Sequence, residues 1–107
     1  MSKTFQKEVL KQLRENGSDL TKPHDFEFYL YVPTKPYAAK AAEKIRRSGF
    51  SGAEVRRAES GSGWLCLARK TIIPEKADLA DHARFLDQVA AALGGEFDGW
   101  EAEIVEV

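Results

Sequence analysis

One cysteine, two histidines and seventeen carboxylates are the side chains of this 107-residue chain with the widest chemical repertoire. Cys66 would be a nucleophile if a base lay beside it and nearby positive charge lowered its pKa. It sits instead between Leu65 and Leu67, the setting of a small buried hydrophobe. Structural zinc takes four ligands, commonly in close pairs, and two scattered histidines with one cysteine cannot supply them. Asp78 and His82, four residues apart, read as a solvated pair. Asp25/Glu27 and Glu101/Glu103 are each spaced by two, which puts each pair on one face of a strand. That arrangement is an exposed polar face, not an acid and a base separated by environment. No G-x-S-x-G elbow, Ser-x-x-Lys or HExxH occurs, and Gly61-x-Gly63 precedes a strand where a nucleotide loop would open a helix. No catalytic residue, metal or cofactor is expected.

Binding chemistry has better candidates. In HDFEFYLYV (24–32), Phe26, Phe28, Leu30 and Val32 alternate with Glu27, Tyr29 and Tyr31. If the first set faces a core, Tyr29 and Tyr31 stand on the opposite sheet face, with Trp64 of a later strand able to join them. Aromatics on an open sheet face stack single-stranded RNA in RNA-recognition motifs. The segment GWLCLARK (63–70) lacks the basic-Gly-aromatic pattern of such motifs, and Glu27 on the tyrosine face would repel phosphate. Packing or protein contact explains the same residues. A basic run (Lys40, Lys44, Arg46, Arg47, Arg56, Arg57) reads as a solvated face, and as the alternative a patch for an acidic peptide or RNA.

The elements that position these residues follow from period and punctuation. Phe5, Val9, Leu10 and Leu13 recur at helical spacing over 4–15, and Asn16-Gly17 stops that helix. A strand spans 24–32 and ends at Pro33. Thr34 caps a helix with Tyr37, Ala38, Ala41, Ala42 and Ile45 on its apolar stripe, closed by Gly49. Residues 53–59 form a polar edge strand, Ser60 to Gly63 a hairpin turn, and 64–73 a central strand. A helix is predicted over 75–93, closed by Gly94-Gly95, and a last strand over 96–105. Asp98-Gly99 inside that strand fits a bulge that re-aims Trp100. The order α then βαββαβ predicts an α+β sandwich of the ferredoxin-like type with an extra N-terminal helix. Two right-handed crossovers would place both crossover helices on one face of a four-stranded antiparallel sheet. The first helix (1–16) would cover the tyrosine face or pack beside the other helices of the 17–107 domain.

Length allows one domain. Net charge is −1, but residues 1–60 carry twelve Lys/Arg against eight Asp/Glu, and residues 61–107 four against nine. The first part is therefore +4 and the second −5. A near-neutral domain is unsuited to binding DNA through its phosphates. No run of 18 apolar residues exists, the start lacks a signal-peptide core, and one cysteine cannot make an internal disulfide. A cytoplasmic protein with no membrane contact is expected.

GSDLTKPHDFEFYLYVP (17–33), GWLCLARKTIIP (63–74) and GGEFDGWEAEIVE (94–106) together resemble the RraB family of ribonuclease E inhibitors. The aromatic-Asp-Gly-Trp at 97–100 is the most specific piece, followed by the Gly-Ser-Asp at 17–19. The resemblance implies a ferredoxin-like domain without catalytic residues or cofactor, whose partner is ribonuclease E of the bacterial RNA degradosome. Family inhibitors tend to carry a long acidic C-terminal tail, whereas this chain stops at Val107, so weaker inhibition or another partner is an open expectation. Candidate partner-binding residues are Tyr29, Tyr31, Trp64, Asp98, Trp100, Glu101 and Glu103. The acidic end would meet arginine-rich segments of the nuclease. Trp100 would be an interface anchor, or alternatively a core tryptophan beside the bulge.

Overall fold

The computed structural model describes residues 3–59, 61 and 63–107. Three helices and four strands follow one another as α1 (Lys3–Glu15), β1 (His24–Val32), α2 (Lys35–Arg47), β2 (Gly52–Arg57), β3 (Trp64–Ile72), α3 (Leu79–Ala92) and β4 (Glu96–Ala102). The strands make one antiparallel sheet in the order β2-β3-β1-β4, so the fold is α+β with β1 and β3 central. Of the expected turn between β2 and β3, Ser60 and Ser62 lie outside the described residues; Ala58 N–H donates to the Gly63 carbonyl at 3.1 Å.

Alternation in β1 sets the layers. Phe26, Phe28, Leu30 and Val32 are buried under the helices, while Tyr29 and Tyr31 are half-buried on the other face. α2 packs on β2 and β3, and α3 on β1 and β4. α1 packs beside α3, burying Val9 and Leu13 in the same core and setting Phe5 edge-on against Phe97 at 5.9 Å. Of the two expected positions for the first helix it takes the second, and leaves the tyrosine face uncovered by α1. Apolar area dictates this: the α1 stripe extends a core already rich in phenylalanine, where burial of each large side chain contributes about 1.5–3 kcal/mol.

Two boundaries differ from expectation by three residues or more. α3 begins at Leu79, not at residue 75, because Asp78 caps it by accepting the Asp81 N–H at 3.0 Å. Residues 75–77 form a turn after Pro74, in which Lys76 and Ala77 both donate to the Ile73 carbonyl. β4 ends at Ala102, and beyond it Ser18 and Glu106 form an isolated bridge with Asp19 N–H donating to Val105 O at 2.6 Å.

Candidate functional site

Register assigns each candidate residue to a face, because directly opposed antiparallel residues point the same way. Tyr29 opposes Leu67 on β3 and Gly99 on β4; Tyr31 opposes Leu65 and Glu96; Glu27 opposes Arg69 and Glu101. These residues share the face turned away from the helices. Leu65 and Leu67 on this face are only 8% and 3% exposed. A groove of about 770 Å³ runs over this floor, walled by Tyr29 and Tyr31.

The groove is charged unequally. Glu27, Glu59, Glu96, Asp98 and Glu101 border it, against Arg56 and Arg57. Arg69 bridges Glu27 and Glu54 at 3.1 Å each, and Arg56 meets Glu54 at 2.9 Å, so the β2 side of the face is internally paired. The Arg69 hydrogen bond is the main cause that lowers the Glu54 pKa. Glu96, Asp98 and Glu101 on β4 form no salt bridge among the described residues. Desolvation first, then the Glu101 and Glu27 carboxylates, hold the Tyr29 hydroxyl above its ordinary pKa. Tyr29 therefore stays a neutral phenol over the physiological range.

Trp64 does not join the tyrosines. It opposes Val32 and so lies on the helix side, at the sheet margin, with Lys35 Nζ and the Arg57 guanidinium each 5.5 Å from its ring. Trp100 also turns inward. The β1–β4 register shifts between Tyr29 and Leu30, so that Phe97 opposes Leu30 and Trp100 opposes Phe28. Both aromatics then reach the core side, with Trp100 stacked on Phe26 at 5.7 Å and Phe97 against Phe28 at 6.1 Å. The extra residue in this bulge leaves Asp98 exposed. Trp100 is half-buried beside the bulge and packs against the core. Glu103 is exposed and accepts the Asp25 N–H at 3.1 Å. Tyr29, Tyr31, Asp98 and Glu101 are thus gathered around one groove; Trp64 and Trp100 lie elsewhere.

The other reactive side chains have structural surroundings. Burial pushes the Cys66 thiol up to about 11, opposite to what a nucleophile needs. Among the described residues no group of three or more His, Cys, Asp or Glu is placed to hold a metal. In the basic run Arg46 donates to the Ala53 carbonyl, Arg47 pairs with Glu43 at 2.8 Å and Arg56 with Glu54, so three of its members have local partners.

Sequence reasoning missed one cluster. His24 is fully buried, with Nε2 2.6 Å from Ser18 Oγ and Nδ1 2.8 Å from the Lys22 carbonyl. Ser18 Oγ also accepts the Val105 N–H at 2.9 Å. With the ring neutral, Nδ1–H donates to Lys22 O and Nε2 accepts from the serine hydroxyl, which satisfies all three contacts. The Ser–His pair resembles half of a hydrolytic triad, but a backbone carbonyl stands where an orienting carboxylate would, and both side chains are enclosed. It clasps the C-terminal segment to the loop before β1. The signal lay within Gly17-Ser18-Asp19 and Pro23-His24, but the partner segment is 87 residues away.

The chain is thus an α+β domain whose uncovered sheet face carries an aromatic and acidic groove. The RraB family, regulator of ribonuclease activity B, matches residues 3–102, and this chain belongs to that family. It is also 26% identical over 106 residues to the regulator of ribonuclease activity B of Pseudoalteromonas atlantica, covering 95% of this chain and 90% of that protein. No helix among the described residues is long and apolar enough to cross a membrane.

Proposed function

We propose that this chain is a non-catalytic regulator that binds ribonuclease E in the bacterial cytoplasm and slows its cleavage of RNA. Family membership over residues 3–102 carries the reading, since that family is described as a regulator of ribonuclease activity. The open sheet face supports it: tyrosine rings beside Glu96, Asp98 and Glu101, which form no salt bridge among the described residues, suit a protein partner bearing positive charge. The strand order, taken from β4 as β4-β1-β3-β2, supports a ferredoxin-like assignment for the 17–107 domain, with α1 as a helical buttress. Inhibition then arises by occupying a surface that the nuclease uses for RNA, with no bond made or broken by the regulator.

Stacked single-stranded RNA is the weaker alternative on charge. Five carboxylates against two arginines border the groove, and phosphates approaching Tyr29 and Tyr31 would meet Glu27 and Glu101. Purified chain titrated into ribonuclease E, with RNA cleavage followed in parallel, tests the proposal. Saturable binding with slower cleavage is expected, and Glu101→Lys/Glu103→Lys should weaken it more at low salt than at high. Undiminished affinity of that double variant at low salt would remove the electrostatic part of the account.

A further inference from the structure

The groove has a notch on its β4 side. Gly99 opposes Tyr29, and a methyl group at Gly99 would meet nothing within 4 Å, so the space over this position of β4 is open. Glu101 lies one step along β4 on the same face, beside the Tyr29 hydroxyl, and the exposed Asp98 projects from the bulge at the other side. We propose that this notch receives an arginine side chain from an extended segment of a partner protein. The inference rests on the reading that the chain binds a ribonuclease, and specifies the chemistry of the segment recognised.

Three properties of the notch select arginine. A flat guanidinium stacks on a tyrosine face and remains charged at any physiological pH, whereas a lysine ammonium is a strongly hydrated point charge. A carboxylate accepts two parallel guanidinium N–H bonds, and Glu101, whose carboxylate meets the Tyr29 hydroxyl, forms no salt bridge among the described residues. The same face already contains that chemistry: Arg69 spans Glu27 and Glu54 through Nε and Nη1, both at 3.1 Å. The side chain of Arg69 fills the paired half of the sheet face; the notch at Tyr29, Gly99 and Glu101 is the unfilled half. An extended segment suits the groove, which runs across the sheet face past Tyr29 and Tyr31.

The test uses the full chain and two probes in fluorescence anisotropy: a short fluorescein-labelled Gly/Ser peptide with arginine at every second position, and the same peptide with lysine. Whole ribonuclease E is titrated against the same proteins. The arginine peptide should bind about tenfold tighter than the lysine peptide, and Glu101→Gln should erase most of that preference, the loss expected for one charge-assisted contact. Glu75→Gln removes an exposed carboxylate in the turn before α3, away from the groove, and should retain the preference, which separates a local effect from a general loss of charge. Equal affinity for the two peptides, or an arginine preference untouched by Glu101→Gln, overturns the notch. If the nuclease still binds the wild-type chain in that case, the regulatory reading survives without it. If the nuclease fails to bind but the arginine preference and its dependence on Glu101 hold, the notch stands and the regulatory reading fails. Preferential binding of single-stranded RNA over the arginine peptide also overturns the notch.

Discussion

Removing a single hydroxyl, Ser18→Ala, is the sharpest probe of how the C-terminal segment is held. The hydroxyl donates to His24 Nε2 at 2.6 Å and accepts the Val105 N–H at 2.9 Å. His24 is 0% exposed, so its ring nitrogen would have no water to replace the serine, a loss of about 1–3 kcal/mol. The Val105 amide is only partly buried and can turn to solvent, which lowers its share to about 0.5–1 kcal/mol. The two together predict about 1.5–4 kcal/mol of lost stability, at roughly 4–8 °C in Tm per kcal/mol for a domain near this size. Urea unfolding followed by tryptophan fluorescence measures it directly, and an unchanged m-value would show that the denatured state is not the source. The contact is shared, so Ser18→Ala and His24→Leu should be non-additive by about 1 kcal/mol or more in a double-mutant cycle. A cost below about 0.5 kcal/mol, or additive effects, would refute the clasp.

Other consequences follow from single positions. Burial first, and the Lys70 ammonium second, lower the pKa of His82. The unfolded chain therefore binds the proton more readily, and stability is present above the ordinary histidine pKa near 6.5 and declines as pH falls through it. His82→Gln should flatten the stability profile between about pH 7 and pH 5 in urea titrations; an unchanged slope would contradict the assignment. Cys66, with its thiol pushed up to about 11, should resist alkylation by iodoacetamide near neutral pH and react only on unfolding, as mass spectrometry would record. A Cβ at Gly95 would collide with the Tyr31 carbonyl oxygen and stand 2.8 Å from Val32 Cγ1, so Gly95→Ala should cost about 3 kcal/mol. Wild-type stability for that variant would show that β4 can shift freely at its start.

What the sequence made legible depended on how local the controlling interaction is. β1 is read residue by residue because its phenylalanines, leucine and valine alternate strictly with polar or amphipathic neighbours. Trp64 was harder. The run Leu65-Cys66-Leu67-Ala68 is buried on both faces of a central strand, so apolar character alone does not give its parity. Only the pairing of Trp64 with Val32 puts it on the helix side. The start of α3 carried a usable signal, Asp78 immediately before the periodic apolar run, but the acidic and basic residues at 75–76 resemble a helix's first turn. Asp98-Gly99 could be read as a bulge because too few residues separate it from Gly95 for a hairpin, and the shifted register follows. The groove was half legible: β1 names its tyrosines, whereas the β4 carboxylates reach it only through a register that no local pattern specifies. The Ser18–His24–Val105 clasp was illegible because its third member returns from the other end of the chain.

Binding to ribonuclease E is the central claim, and isothermal titration of the full chain into the purified nuclease, at low and at raised salt, tests it most directly. The account predicts saturable binding that weakens as salt rises, with slower RNA cleavage when the complex forms. Absence of heat and of any effect on cleavage at low salt would contradict it.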